Sequence, residues 1–282
     1  RGALATALGT LDDRAHLSLL LRLCRDEDHE VRRRALAACA RFPGADVLAA
    51  CVERLDDPST LVRREAEDTL VSIHPACSVS AAVAARLRDP ADVARYHVCQ
   101  VLGRLRLREH AAAIYDLLKS ETVGVNIGAA SFALGCIGLK EAAPTIGTHM
   151  AHENPIVRER VGEALGKLAV PSTYDCLKTL AFDPIPKVGH AAIIGMGRIG
   201  DGNAFNATIL KVMKTVLEKD MAPANRCAGA WAAAQLRPMD SELLERLKVQ
   251  ATVAVVPGSM GMMFFEEDYV LATLVFSLAT CA

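Results

Sequence analysis

Asn154-Pro155-Ile156-Val157-Arg158-Glu159-Arg160-Val161-Gly162-Glu163-Ala164-Leu165-Gly166-Lys167-Leu168 is the stretch whose reading decides the fold. Asn-Pro opens a turn, and Val157, Val161, Leu165 and Leu168 then recur at the spacing of one helix face. Gly166 removes a side chain from that helix, which lets a neighbouring element come close.

The chain repeats this statement. With Val157 as the origin of a ruler, the equivalent positions are Val31, Val62, Ala94, Asn126, Val157, Val188 and Asn225, separated by 31, 32, 32, 31, 31 and 37 residues. Five residues before each origin stand Asp26, Asp57, Asp89, Glu121, His152, Asp183 and Asp220. One residue after come Arg32, Arg63, Arg95, Ile127, Arg158, Gly189 and Arg226. Eight after come Cys39, Leu70, Leu102, Leu134, Leu165, Met196 and Ala233, and nine after, Gly103, Gly135, Gly166 and Gly197 recur. Leu8-Gly9 fits the same columns one period before Cys39-Ala40, so the chain opens inside a repeat. Self-similarity at a fixed period of this length is the mark of a solenoid.

The run from Asp57-Pro58 through Val62-Arg63 to Ala66 and Leu70 resembles the HEAT repeat, and the short period with its Leu-Gly ending is similar to the bacterial subtype of phycobilin lyase subunits. The resemblance extends to about residue 236 and then loosens. It implies an all-α fold, a right-handed α-solenoid of about eight HEAT-like helical hairpins. Each unit is then helix A, a turn, helix B and a linker. Helix A is expected over 15–24, 46–55, 78–87, 109–119, 142–151, 173–182, 203–218 and 240–248, and helix B starts near each origin and runs about a dozen residues. The array is expected to span 1–248, followed over 249–282 by an irregular apolar insertion and a last helix that complete or cap it. Within that tail, the Met- and Phe-rich stretch 257–265 reads as a loop tucked over the array. The first residue is Arg1 and both ends fall inside the pattern, so the chain reads as an excerpt of a longer protein.

Composition narrows the function. Apolar residues make up 51% and aromatics only 4%, so alanine and leucine must fill the interfaces. A net charge of -1 gives no field that would draw the chain to nucleic acid. Residues 1–110 hold 17 arginines, no lysine and 16 acids, which reads as a surface laced with ion pairs. Nine cysteines, an odd number without a CxxC pair, suit helix faces in a reducing compartment, and a cytoplasmic location is expected. The sequence has no apolar run of about 20 residues, so no membrane span is expected.

Chemistry-bearing motifs are few. Gly195-Met196-Gly197-Arg198-Ile199-Gly200 spells GxGxxG, but a dinucleotide site needs that string to open a helix, and here it closes one. His149, His152 and Glu153 lie three and four residues apart at a helix end, without a further ligand to complete a metal site. The HEAT-like deoxyhypusine hydroxylase carries His-Glu pairs two and three residues after the column valine. Here those positions are Arg33-Arg34, Arg64-Glu65, Tyr96-His97 and Glu159-Arg160, so that activity is not expected. No catalytic residue, cofactor or metal is assigned. The Asp/Arg columns read as structural, with the acid near a helix start and the arginine bonding to it or to its counterpart next door.

In HEAT arrays the B helices line the concave side, and columns two, three and six after the origin then face the groove. Tyr96, His97, Gln100, Phe132, Arg160, His190, Ile194 and Trp231 stand there and are the expected partner-binding residues. The expected function is a non-catalytic protein-binding scaffold or adaptor whose partner is another protein. The alternative is an accessory subunit of the HEAT-like lyase type acting on a tetrapyrrole-bearing protein.

Overall fold

A computed structural model describes residues 1–11, 13–74, 76–199, 206–216, 222–235 and 245. Among the described residues all regular structure is helical. The chain forms two compact units, Arg1–Ile137 and Gly138–Ala282. The first holds α1 (Gly2–Thr10), α2 (Leu17–Leu23), α3 (His29–Cys39), α4 (Ala45–Glu53), α5 (Thr60–Ile73), α6 (Val79–Ala84), α7 (Asp92–Arg104), α8 (Ala111–Ser120) and α9 (Gly124–Ile137). The second holds α10 (Ala143–Gly147), α11 (Pro155–Leu168), α12 (Tyr174–Ala181), α13 (Pro186–Ile199), α14 (Asn206–Val216) and α15 (Pro223–Gln235). The even-numbered helices are the A helices. The expected helix over 240–248 and the tail 249–282, with its stretch 257–265, lie outside the described residues.

Six of the A helices, α2 to α12, are shorter than expected, and each has a 3-10 turn at one end. Such turns precede α2 (Arg14–His16), α8 (Arg108–His110), α10 (Lys140–Ala142) and α12 (Pro171–Thr173), and follow α4 (Arg54–Asp56) and α6 (Ala85–Arg88). The 3-10 winding is tighter and rises faster, so it spans a connection with fewer residues than an α-turn would.

The repeat register is the packing register. Val31, Val62, Ala94, Asn126, Val157, Val188 and Asn225 are all buried, as are Cys39, Leu70, Leu102, Leu134, Leu165, Met196 and Ala233. Column nine shows how neighbouring B helices meet. A Cβ added to Gly103 would lie 2.7 Å from the Ala133 Cα, one at Gly166 2.5 Å from the Gly195 Cα, and one at Gly197 2.8 Å from the Ala232 Cα. Each partner is the small residue in column seven of the following repeat. The glycine columns are therefore crossing points, where backbone lies on backbone.

Candidate functional site

The turns before the B helices are built by the acid column. Its side chain accepts the backbone N–H two residues on: Asp26 from Asp28 (3.0 Å), Asp57 from Ser59 (2.9 Å), Asp89 from Ala91 (2.9 Å), Glu121 from Val123 (3.1 Å) and Asp183 from Ile185 (2.9 Å). His152 does the same through Nδ1, accepting from Asn154 (3.0 Å). The acid thus closes the turn on the cap residue, and the cap residues Asp28 and Asn154 in turn accept from Glu30 and Ile156 inside the helix.

The column arginine finishes the turn. Arg32 donates through Nη1 to the Asp26 and Glu27 carbonyls (2.8 and 2.9 Å), and Arg95 and Arg158 do likewise in their own turns. The remaining nitrogens cross to the acid of the next repeat: Arg32 to Asp57 (2.8 Å twice), Arg95 to Glu121 (2.8 and 3.1 Å) and Arg158 to Asp183 (2.7 and 3.1 Å). The Arg32–Asp57 pair is buried, where a surface ion pair was expected. Burial alone would raise the Asp57, Glu121 and Asp183 carboxyls. The arginine and turn hydrogen bonds outweigh it and hold all three below the ordinary carboxylate value. All of these arginine and acid groups are engaged within the fold.

Arg63 breaks the ladder. Its Nε donates to Nε2 of His97 (2.9 Å) while His97 Nδ1 faces the Glu67 carboxylate. Nε2 must therefore accept, so the ring is the tautomer that donates from Nδ1 to Glu67. Tyr96 stands edge-on to the same ring, with centroids 4.9 Å apart. On the face of the first unit, His97 and Gln100 are thus buried, while Tyr96 and Phe132 are half-buried. Leu61, Val93 and Val125, one residue before the origin in three successive repeats, are exposed on their helices' first turns. This column lies outside columns two, three and six after the origin, from which the groove-facing residues are expected. Aliphatics recurring beside a charged column were the available signal.

In the second unit Ile156 repeats that column and is 54% exposed. Arg160 pairs with Glu163 on its own helix (2.7 Å). His190 and Ile194 are half-buried on α13 and line an open groove of about 480 Å³, with Glu159, Glu163 and Lys167 on the α11 side and Arg198 at the far end. The Nδ1–H of His190 donates to the Ala224 carbonyl (3.1 Å), so its Nε2 carries the lone pair. Trp231 is half-buried, its ring against α13 where Gly197 leaves room; a Cβ there would lie 3.0 Å from the ring. The structure thus brings His190 and Ile194 together in one groove, sets Trp231 on α15 against Gly197 of α13, and places Tyr96, His97, Gln100 and Phe132 on α7 and α9.

Gly195 and Gly197 of the GxGxxG string are packed against Gly166 and Ala232, which gives those glycines a packing role. Among the described residues, no group of three His, Cys, Asp or Glu is placed to hold a metal ion. Nor, among them, is any helix long and apolar enough to cross a membrane.

This geometry, helical hairpins packed B helix on B helix with a closed acid/arginine turn, is that of a HEAT-type α-solenoid. Residues 1–71 match the family model of HEAT repeats. No curated protein matches the sequence. Among solved structures, the chain is similar to the complex of CpcE and CpcF of phycocyanin lyase from Nostoc sp. PCC7120, at 16% identity over 94% of each chain with a TM-score of 0.52. It is similar to YibA of Escherichia coli at 18% identity, covering 98% of this chain and 96% of that one with a TM-score of 0.62. It is also similar to Kap95p in a structure with RanGDP, at 13% identity and a TM-score of 0.69, covering 94% of this chain and 41% of Kap95p. At these identities the likeness is one of fold.

Proposed function

We propose that this chain is a non-catalytic protein-binding scaffold whose B-helix face in the second unit is a docking surface. The observation that carries the reading is the α11–α13 groove, where Ile194 and His190 line open space, with the half-buried Trp231 packed on the same helix α13 at Gly197. A large ring and an aliphatic side chain left partly in water lose solvation free energy that a covering partner would recover. Two solved structures of similar fold are of proteins with protein partners, CpcE with CpcF and Kap95p with RanGDP. The test replaces Ile194 with a photo-crosslinking residue and identifies the adducts by mass spectrometry. One dominant protein adduct, lost when Trp231→Ala is added, is the expected result. Adducts that do not depend on Trp231 would overturn the reading.

A second reading is favoured by the similarity to CpcE and CpcF over 94% of each chain: an accessory subunit acting on a tetrapyrrole-bearing protein. Titration with a bilin separates the two, because that reading requires a new absorption band and the scaffold reading requires none.

A further inference from the structure

The α11–α13 groove carries more information than its openness. Glu163 is matched on its own helix by Arg160 (2.7 Å), which removes the middle acid from the electrostatics of the groove. Glu159, level with His190, and Lys187 lie at the end where the helices begin, one charge of each sign, so that end carries no net charge. Lys167 and Arg198 lie together at the end where they finish. Among the described residues Arg198 makes no ion pair, and Ile194 stands one turn before it on the same face. The apolar floor of Ala191 and Ile194 is therefore bounded by an acceptor, the Nε2 of His190, on one side and by the Arg198 guanidinium on the other.

Resting on the reading of this face as a docking surface, we propose that the groove takes an extended segment of a partner protein with an aliphatic side chain two residues from a carboxylate. The aliphatic group covers Ala191 and Ile194, the carboxylate meets Arg198 beside Lys167, and an N–H donor two residues the other way meets His190 Nε2. The spacing follows from geometry. Ile194 and Arg198 are four residues apart along a helix, about 6 Å of rise, as are His190 and Ile194. An extended chain covers about 6.6 Å in two residues. A segment in the order donor, spacer, aliphatic, spacer, acid thus matches the three features of α13 in register, and charge complementarity decides which end carries the acid.

The test uses the whole chain and reads the emission of Trp231, the sole tryptophan, whose ring lies against Gly197, the residue before the groove-lining Arg198. The probes are capped pentapeptides with glutamine first, leucine in the centre and alanine between. One ends in aspartate, one in lysine, and one has the aspartate moved next to the leucine; each is made in both chain directions. The aspartate probe, in one direction, should bind at least fivefold more tightly than the other two. Arg198→Glu should abolish or invert that preference, while Lys178→Glu on the exposed face of α12 should leave it unchanged. Equal affinity for the aspartate and lysine probes, or a preference that survives Arg198→Glu, would overturn the inference. Self-association of the chain that Ile194→Asp dissolves would also overturn it, because the occupant would then be a second copy. Cross-linking at Ile194 that persists while the charge preference is absent removes only this inference and leaves the docking surface standing.

Discussion

At the residue scale, the twelfth position after the origin shows how backbone and side chain divide the work. Arg106, Gly138 and Ala169 occupy it in successive repeats, and all three have positive φ, at 52°, 87° and 49°. Only Gly138 adopts that conformation without a Cβ penalty. Ala169→Gly should therefore stabilise the protein by up to about 1 kcal/mol, less whatever the freer unfolded chain returns, measured as a rise in the urea midpoint. A fall in the midpoint would mean that unfolded-state entropy dominates there. Leu165, fully buried in column eight, behaves in the opposite way. Leu165→Ala should cost about 2–5 kcal/mol, because the surrounding repeats cannot collapse fully into the space left. A midpoint unchanged from wild type would place that side chain outside the core.

At the element scale, α11 holds two glycines four residues apart that should respond in opposite directions. A Cβ on Gly166 would sit 2.5 Å from the Gly195 Cα, which is backbone and cannot rotate away. Gly166→Ala must push α11 and α13 apart and should cost about 1–3 kcal/mol. A Cβ on Gly162 would find its nearest neighbour at 3.4 Å, at the edge of ordinary contact. There the helix propensity of alanine, about 1 kcal/mol better than glycine, should leave Gly162→Ala neutral or stabilising. Equal destabilisation by both would mean that the crossing point is not at column nine. The turns make a separate prediction. Asp57, Glu121 and Asp183 titrate below their unfolded values, so the stability they contribute is present above roughly pH 4 and is lost as pH falls through the folded values. Thermal midpoints measured against pH should be level down to about pH 5 and then fall. Asp57→Ala should cost about 3–5 kcal/mol near neutrality, because it leaves the Arg32 guanidinium buried without its carboxylate.

At the scale of the whole molecule, repetition supplies stability and departures from it supply candidate function. The acid/arginine turn, the column-eight apolar residue and the column-nine glycine recur because each repeat must bury its neighbour in the same way. Trp231 recurs nowhere else. Its ring is half-buried against Gly197, so Trp231→Ala should cost some folding stability, about 1–2 kcal/mol, below the value for a fully enclosed ring. Binding of the cross-linked partner should weaken by about 2 kcal/mol or more if the ring is an anchor. Wild-type affinity in a folded Trp231→Ala protein would leave the chain a solenoid with its docking surface elsewhere.

The sequence by itself determined the repeat, its register and the helical hairpin. A side chain that must be buried in every unit leaves a periodic trace, and Val157, Leu165 and Gly166 each lie in such a column. It also placed the acid and arginine columns at the turns before the B helices, and Gly197 of the GxGxxG string in the repeat's own glycine column. Only the tertiary structure decided how those groups are shared. Arg32 reaches the acid of the following repeat and buries it, a contact across 25 residues that no local pattern records. Tertiary contacts also decided that His97 turns inward to Glu67 and Arg63 while His190, in the neighbouring column two, lines a groove. The two histidines stand one column apart in sequence. Their environments differ because burial depends on what the adjacent helix presents: Glu67 draws the first ring inward, and the Ala224 carbonyl holds the second at the surface.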